Sequence, residues 1–354
     1  MARILHVANF GRKASGAFHH SVEYKLSNGL TRNGHHVVNV SDRDLARMGS
    51  WLGHRQFGVA AANKEFRSLC RNMEPELLLL GHADVIEAAT IADLRRELPA
   101  MRVAQWNVDA LFTPANITRI ASKLEVVDAT LVSTAGAVLG TLARPGKVLG
   151  YLPNPVDFSV ESGACHEKRD LPFDLFFACG DAAKRRWTCG EAWLPSDLRA
   201  RIEGAIPGLR ALTPGLNGQP SLVGARYQRA LESAAIGLNL SQRNDYYLYS
   251  SDRLAQLCGN GLAVLIDRAT GFDALFGEDE FAFFAGVDEM VERIRHLKGD
   301  APARQALAGK GRTRYHALFN ERVIAKYMVD AAFGTIREAD FPWPTIFHAE
   351  SATR

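Results

Sequence analysis

The sequence contains 354 residues with a mass of 38.8 kDa, enough for about two domains that each bury a hydrophobic core. Hydrophobic residues make up 47% of the chain and charged residues 23%, as in ordinary globular proteins, which excludes disorder or a fibre for most of it. The net charge of +3 is too balanced for a dedicated nucleic-acid-binding protein.

The chain shows no membrane or export signal. It has no run of about 18 apolar residues, the length that spans a bilayer. Its first residues, MARILHVANF, lack a charged segment ahead of an apolar core and predict a β-strand rather than a signal peptide. Five scattered cysteines indicate free thiols in a reducing compartment. We therefore expect a cytoplasmic protein.

The first half of the chain alternates apolar strands with helical segments. Between the first two strands, Val22, Leu26 and Leu30 have helical spacing and Gly34 ends the helix. Because a strand, a crossover helix and a strand form a parallel unit, this half predicts a doubly wound α/β domain. The predicted strands are 4–10, 35–42, 76–84, 102–109, 128–134 and a last stretch within 147–157, and further helices are predicted at 86–98 and 116–127.

A polar segment at 156–172 interrupts this alternation and predicts a linker. A second α/β series follows it, with strands at 174–181, 208–215, 235–242, 263–268 and 280–286 and helices at 196–206, 224–234, 250–261, 287–300 and almost continuously at 301–333. The sequence thus predicts two domains, 1–158 and 170–334. We expect the C-terminal segment, 335–354, to pack back on the first domain.

A glycine-bearing loop, GRKASG, follows the first strand at residues 11–16. Its glycines have the spacing of a phosphate-binding loop, but Ala17 and Phe18 stand where a Walker loop requires Lys and Ser or Thr. The alternatives are a tight turn between strand and helix, or a place where the backbone approaches a ligand. The position past the carboxyl end of a strand favours the ligand.

A basic loop follows the first strand of the second domain. In CGDAAKRRW, Gly180 precedes Lys184, Arg185 and Arg186. Arginine offers a bidentate fork to phosphate and lysine a point charge. The loop therefore stands where a nucleoside diphosphate would lie, and a solvated basic turn is the alternative.

A second candidate for phosphate binding opens a helix further along the chain. Ser250, Ser251 and Asp252 can all cap a helix that begins near Arg253. A helix N-terminus favours anions, whereas a cation in the first turn is unfavourable there, so Arg253 is a candidate for contact with a ligand. An ordinary capped helix is the alternative.

Histidine and aspartate side chains mark the first domain. His82 and Asp109 follow strand ends, and His19 and His20 open the first helix. Histidine can act as a base or hydrogen-bond donor, and ionised aspartate can accept a proton. A structural role is the alternative for each. Because neither zinc-ligand spacing nor a pair of aspartates at a strand end occurs, we expect no metal.

Several stretches resemble the glycosyltransferases of the GT-B "group 1" type. The resemblance is strongest from Leu248 to Ala332, in SSDRLAQLCGNGLAVLIDR, GEDEFAFFAGVDEMVERI and ARQALAGKGRTRYHALFNERVIAKYM. The start of the chain, with its glycine loop and GHHVVNV, and YLPNPVDF at the domain border also resemble that family. Leu254 stands where many members carry a glutamate, which leaves the identity of the donor open.

The resemblance implies two Rossmann-like domains that face a cleft, with the last helix crossing back onto the first domain. It implies that a nucleotide-sugar donor binds the C-terminal domain and an acceptor the N-terminal one, and that transfer is retaining. We therefore expect a glycosyltransferase that acts on a saccharide or glycolipid, in bacterial surface polysaccharide or lipopolysaccharide synthesis. Peripheral contact with the inner membrane is expected, and neither a metal, another cofactor nor a nucleic acid.

These expectations assign roles to the candidate residues. Lys184, Arg185 and Arg253 stabilise the leaving diphosphate, Ser250 and Ser251 donate hydrogen bonds, and Gly180 and Asp252 complete the donor site. Asp109 is the first choice for orienting the acceptor hydroxyl, with His82 and His19 as the other catalytic candidates. A sugar-nucleotide epimerase with the same fold and a catalytically inactive binding module are the alternatives.

Overall fold

The computed structural model describes residues 1–11 and 16–343. Most of the predicted glycine loop, 12–15, and the end of the chain, 344–354, lie outside the described residues. The chain forms two compact units. Among the described residues, the first unit contains 1–11, Gly16, Ser21–Pro153 and 321–343, and the second unit contains Ala17–His20 and Asn154–Asn320.

The first unit is built on a sheet of six parallel strands. Its elements before the second unit are β1 (Arg3–Ala8), α1 (Val22–Arg32), β2 (His36–Ser41), α2 (Asp42–Met48), α3 (Val59–Met73), β3 (Leu77–Gly81), α4 (Ala88–Glu97), β4 (Arg102–Asn107), α5 (Pro114–Ala121), β5 (Ala129–Val132), α6 (Ala137–Gly140) and β6 (Val148–Tyr151). The strand order β2-β1-β3-β4-β5-β6 reverses direction between β1 and β3, which is where open α/β sheets form a ligand crevice.

Burial explains why this sheet is visible in the sequence. Strand β3, Leu77–Gly81, is buried along its whole length, as expected for a parallel strand covered by helices on both faces. Helices α2 and α3 and the short helix α6 are the elements of this unit that the sequence did not predict. In α3 the buried residues Ala62, Phe66 and Cys70 recur every fourth position, which is the spacing of one helix face.

The second unit contains a parallel sheet of five strands with the order β10-β7-β11-β12-β13 and a separate antiparallel hairpin of β8 and β9. Its elements are β7 (Phe173–Phe176), β8 (Arg186–Thr188), β9 (Glu191–Trp193), α7 (Pro195–Ala205), β10 (Ala211–Leu212), α8 (Gly224–Leu231), β11 (Ala234–Asn239), α9 (Arg253–Gly259), β12 (Ala263–Asp267), β13 (Ala282–Phe284), α10 (Val287–Gly299) and α11 (Ala301–Phe319). The predicted fold class, with two doubly wound α/β sheets, is therefore confirmed.

The segment predicted as a linker, 156–172, belongs to the second unit. The amide of Val156 donates to the carbonyl of Phe319 at 2.9 Å, and the amide of Gly163 donates to Asn260 Oδ1 at 2.9 Å. These bonds satisfy the backbone of a segment whose regular structure is limited to a short 3-10 helix, Cys165–Glu167. The boundary between the units consequently falls between Pro153 and Asn154.

The predicted long C-terminal helix is two helices. Helix α11 ends at Phe319, Asn320 is extended, and α12 (Glu321–Phe333) packs in the first unit. A Cβ atom on Gly29 of α1 would lie 2.0 Å from the Glu321 carbonyl oxygen, so the two helices approach closely. The last helix thus packs with the first unit, as the resemblance implies.

The residues after α12 continue on the first unit as far as the structure describes them. The rings of Phe341 and Trp343 lie 5.0 and 5.6 Å from that of Tyr327. Across the described ranges, no helix is both long and apolar enough to cross a bilayer.

Gly81 is required by the packing at the end of β3. A Cβ atom there would lie 2.1 Å from the Trp106 ring, and Trp106 is fully buried. We predict that Gly81→Ala lowers the free energy of unfolding by about 2 kcal/mol or more, as overpacking does. Urea unfolding measures this.

Gly204→Ala is the matched control, because no atom lies within 4 Å of a Cβ built on this helical glycine. It should be neutral or stabilise by about 0.5–1 kcal/mol. A Gly81→Ala protein as stable as the wild type would contradict the packing argument.

Candidate functional site

Two of the predicted catalytic residues meet at the carboxyl edge of the first sheet. His82 directly follows β3, and its Nδ1 lies 3.5 Å from Asp109 Oδ2 beyond the end of β4. Arg119 of α5 hydrogen-bonds to Asp109 and, at 3.1 Å, to Asn116 Oδ1. The structure therefore joins His82, Asp109 and Arg119 in one cluster.

Burial sets the charge of this cluster. The His82 side chain is largely buried, and its burial lowers the pKa, which the charge of Asp109 opposes. His82 is therefore neutral near pH 7, with one nitrogen able to donate and the other to accept. The Asp109 side chain remains 43% exposed, so it is accessible to a solute.

A buried hydrogen-bond chain lies beneath the cluster. Trp106 Nε1 donates to His6 Nε2 at 3.1 Å, so the proton of the neutral imidazole lies on Nδ1, which bonds Ser27 Oγ at 2.9 Å. Ser27 Oγ donates in turn to Asn39 Oδ1 at 2.8 Å. This chain fixes the Trp106 ring in the core, which leaves no face of it for stacking on a sugar.

Sequence reasoning missed the cations of this edge. Arg119 also approaches Asp84, with Nε 3.7 Å from Oδ1, and Lys123 is buried, which lowers its pKa against the opposing charges of Asp84 and Asp42. With His82 they line a cavity of about 20 Å³, room for about one water molecule. Arg119 and Lys123 are four residues apart in the stretch 116–127 that the sequence predicts as a helix, and this spacing is the signal that could have revealed them. In the structure α5 ends at Ala121, before Lys123.

The sequence predicts that His19 and His20 open the first helix, beside the glycine loop. They belong to the segment 17–20 of the second unit, where the Ala17 carbonyl accepts from the Gly224 amide at 3.1 Å. The His20 ring stacks on that of Tyr227 at 5.6 Å. The predicted helix began too early, since α1 starts at Val22.

Buried polar atoms collect at the carboxyl edge of the second sheet. Thr213 follows β10, Cys179 follows β7 and Asn239 ends β11, and these three strands are neighbours. Thr213 Oγ1, Ser241 Oγ and both polar atoms of the Asn239 amide are buried and find no hydrogen-bond partner within residues 1–11 and 16–343. Because such atoms are costly to bury, this edge is suited to a polar ligand.

The structure separates the three cations of the basic loop. Arg186, on β8, is only 5% exposed, and Nη2 donates to Cys179 Sγ at 2.9 Å. Lys184 and Arg185 are exposed; Lys184 Nζ lies 3.8 Å from Asp181 Oδ2, and Arg185 Nη1 donates to the Ala192 carbonyl at 3.0 Å. Sequence reasoning named all three but preferred Arg185 to the buried Arg186.

Arg186 is electrostatically unusual. No carboxylate forms an ion pair with it in the part of the chain that the structure describes, and its Nε has no hydrogen-bond acceptor there. Burial lowers the pKa of the guanidinium, and the charge of Arg253 acts in the same direction. An arginine remains charged even so, so the position favours an anion.

The predicted residues around α9 reach the same edge. Arg253 Nη1 donates to the Leu240 carbonyl, just past β11, at 2.9 Å. The Ser251 hydroxyl oxygen is buried without a partner among the residues described, and the Ser250 carbonyl accepts from Asn154 Nδ2 at 2.9 Å. Leu254, which stands where the resemblance implies a glutamate, is fully buried in the core.

Further contacts hold this region in place. Asp252 Oδ2 accepts from Gln256 Nε2 at 2.7 Å, and Gln256 Oε1 accepts from the Tyr227 hydroxyl at 2.9 Å. Gly180 directly follows Cys179 and is exposed, with no atom within 4 Å of a Cβ built there. It therefore leaves room for a ligand beside the edge.

Asp267, at the end of β12, anchors the hairpin that carries Arg186. Its Oδ2 accepts from the Thr188 hydroxyl at 2.6 Å and from the Cys189 amide at 2.8 Å. Cys189 and Gly190 both have positive φ, as a two-residue hairpin turn requires. The signal for this hairpin in the sequence is the Cys-Gly pair between two short alternating segments.

No group of three or more His, Cys, Asp or Glu side chains is placed to hold a metal ion among residues 1–11 and 16–343. The predicted Asp252 contacts a glutamine, and the GEDE run contributes Asp279 to an ion pair with Lys310 at 2.9 Å. These acidic side chains are therefore engaged with protein partners.

Residues 185–330 match the protein family described as glycosyl transferase-like. The matched region contains the hairpin, α9 and the ends of β10 and β11, whereas β7, Cys179 and Gly180 precede it. No curated protein matches the chain in sequence.

The fold is shared with solved structures along almost the whole chain. AviGT4, a glycosyltransferase involved in avilamycin A biosynthesis, is 14% identical over 94% of this chain and 97% of its own, with a TM-score of 0.58. HepE from Anabaena, solved with UDP and glucose, is 9% identical over 94% and 100%, with a TM-score of 0.58. A Listeria monocytogenes protein described as a UDP-N-acetylglucosamine 2-epimerase is 9% identical over 95% and 98%, with a TM-score of 0.50. At sequence identities of 9–14%, the similarity to these structures shows the fold alone.

The buried His6 makes stability depend on pH. Its burial lowers the pKa from 6.5 to about 3, so below pH 6.5 the unfolded chain takes up a proton there and the folded chain does not. The contribution of His6 is complete above pH 6.5 and is lost as the pH falls toward 3, at up to about 1.4 kcal/mol per pH unit. We predict that His6→Gln, which keeps an acceptor for Trp106, loses stability less steeply over this range.

Urea unfolding at several pH values between 7.5 and 4 measures the slope. His36→Gln, at an exposed histidine of β2, should keep the slope of the wild type. Equal slopes for the wild type and His6→Gln would show that His6 already binds its proton in the folded state.

Proposed function

We propose that this protein is a glycosyltransferase that moves a sugar from a nucleotide-sugar donor to a hydroxyl of a saccharide or glycolipid. The observation that carries the proposal is the buried Arg186, which has no carboxylate partner within the described residues. It lies at the edge of the second sheet where Thr213, Asn239 and Ser241 have buried polar atoms without a hydrogen-bond partner among those residues. A diphosphate supplies the charge and the acceptors that these groups need. The family match over 185–330 supports the same reaction.

The chemistry follows from the charges. When the bond between the sugar and the diphosphate breaks, negative charge develops on the leaving phosphate, and fixed cations that face it stabilise the transition state. Arg186 and Arg253 hold the diphosphate oxygens, and the Ser251 hydroxyl and the Asn239 amide donate to further oxygens. Lys184 and Arg185 add a more exposed positive field, and Gly180, Ser250 and Asp252 shape the edge.

The acceptor binds at the edge of the first sheet. Asp109 is accessible and is oriented by Arg119, so it accepts a hydrogen bond from a sugar hydroxyl, while the neutral His82 positions a neighbouring group. His19 is less favoured for this role, because its segment packs in the second unit.

Several further features belong to the proposal. Transfer proceeds with retention of configuration, as the resemblance implies, and without a metal ion, because arginines meet the diphosphate charge. The enzyme acts in the cytoplasm, consistent with five free cysteines, in the synthesis of a bacterial surface polysaccharide or lipopolysaccharide. HepE was solved with UDP, which favours a uridine nucleotide as the first donor to test.

An epimerase is the second candidate function, because a protein described as a UDP-N-acetylglucosamine 2-epimerase shares the fold. An inactive binding module is the third, because the usual glutamate is replaced by Leu254. Incubation with a panel of UDP- and GDP-sugars, with and without oligosaccharide and glycolipid acceptors and in the presence of EDTA, distinguishes them. A transferase releases nucleotide with an acceptor, an epimerase alters the donor without one, and a binding module does neither.

Arg186 and Arg185 provide a paired test of the donor site. We predict that Arg186→Met weakens binding of the nucleoside diphosphate at least tenfold, since a hydrogen bond to a charged group is worth about 1.5–3 kcal/mol. Arg185→Ala should weaken binding about threefold or less, because its exposed charge is screened. Titration calorimetry measures both constants.

The thermal unfolding midpoint serves as the control for folding of Arg186→Met. A folded Arg186→Met variant with the dissociation constant of the wild type would remove Arg186 from the donor site. A larger loss of affinity in Arg185→Ala than in Arg186→Met would identify Arg185 as the main contact to the diphosphate, as the sequence alone suggested.

Asp109→Ala tests the acceptor side. We predict at least a tenfold fall in turnover, about 1.4 kcal/mol of barrier, with nucleotide binding unchanged, because Asp109 lies at the other sheet. Steady-state kinetics and calorimetry measure the two quantities. Glu125→Ala, which removes an exposed carboxylate of the same unit, should change neither. Full activity of Asp109→Ala would exclude the assigned role.

A further inference from the structure

The segment between α2 and α3 exposes large apolar side chains at its tip. Trp51 is 100% exposed, Leu52 65% and Phe57 71%. We call residues 51–57 the apolar loop. Single exposed apolar residues are common on protein surfaces, but three within seven positions form a patch that calls for a partner.

The base of the apolar loop is closely packed. A Cβ atom on Gly49 would lie 2.6 Å from that of Ala61, and one on Gly58 would lie 1.7 Å from the Ala46 carbonyl oxygen. Within the loop the Gly53 amide donates to the Ser50 carbonyl at 3.1 Å. Both ends are therefore fixed against the helices, and the turn holds the apolar side chains outward.

The charged residues in the sequence interval that contains the loop all have the same sign. No acidic residue occurs between Asp44 and Glu65, whereas Arg47, Arg55 and Lys64 lie in that interval. Arg47 pairs with Asp44 at 2.7 Å. Arg55 is exposed beside the apolar side chains and forms no ion pair with any described residue. A binding partner with complementary charge would therefore present a negatively charged surface to this loop.

We propose that the apolar loop inserts into the interfacial region of a bilayer that contains anionic phospholipid. Tryptophan prefers the membrane interface because its ring is apolar and its N–H is polar. Leu52 and Phe57 enter the acyl boundary, and Arg55 contacts lipid phosphate. Apolar insertion combined with electrostatic attraction is the basis of peripheral membrane binding.

The size of the patch distinguishes a bilayer from a second copy of the chain. Two aromatic side chains offer about 300–500 Å², given about 150–250 Å² for each aromatic, and one leucine adds to this area. A stable protein complex buries about 800 Å² on each partner. A protruding tip with one sign of charge fits a deformable anionic surface better than a copy that carries the same charges.

Co-sedimentation of the full chain with vesicles tests this proposal. We expect binding to vesicles of equimolar phosphatidylcholine and phosphatidylglycerol, and weak binding to phosphatidylcholine alone. The double variant Trp51→Ser/Leu52→Ser should bind at least tenfold less. Arg55→Ala should lose about fivefold on the anionic vesicles only, the factor that corresponds to about 1 kcal/mol for each basic residue near such a surface.

Matched controls lie in the second unit. Val223→Ser changes another exposed apolar residue, and Arg229→Ala removes another exposed arginine; both should bind as the wild type does. Because the altered side chains are exposed, the variants should keep the thermal unfolding midpoint of the wild type.

Three outcomes would overturn the proposal. They are failure of the wild type to bind anionic vesicles, undiminished binding by the double variant, and a wild-type dimer in size-exclusion chromatography that the double variant converts to a monomer. The last would assign the loop to contact between copies. Vesicle binding needs neither donor nor acceptor, so failure here leaves the proposed transfer reaction intact, and failure of transfer leaves the membrane contact intact.

Discussion

Both large sheets are entirely parallel, and this constraint determines where function can reside. A parallel strand must be followed by a return crossing, so every strand of a sheet ends at the same edge. Side chains far apart in the sequence therefore meet there, as His82 and Asp109 do at the first sheet. The same constraint brings Cys179, Thr213 and Asn239 to one edge of the second.

The two edges differ in how their charges are balanced. At the first, Arg119 pairs with Asp109, and Arg43 Nη2 bonds Asp84 Oδ2 at 2.7 Å, so the cluster is internally compensated and suited to polar but neutral groups. At the second, Arg186 has no carboxylate partner among the residues that the structure includes. This difference in charge balance is what we would expect if the first edge binds an uncharged hydroxyl and the second a charged diphosphate, as in the function that we propose.

The sequence predicted the strands well because buried parallel strands are continuous apolar runs, as in Leu77–Gly81. It did not reveal the break at Asn320, because Val156 of a distant segment pairs with that residue and such pairing has no local signal. It also favoured Arg185 over Arg186. The correct choice between the two arginines requires recognising the hairpin. Because side chains alternate between the two faces of a strand, β8 buries Arg186 and Thr188 and exposes Trp187.

The placement of α12 has a consequence for synthesis of the chain. The first unit is discontinuous, because its final helix follows the entire second unit in the sequence. On the ribosome, residues 21–153 emerge long before the helix that covers α1, whereas residues 154–320 emerge as one block. All the helices and strands of the second unit have therefore been synthesised while the first unit still lacks α12. The order of completion is thus the reverse of the order of synthesis.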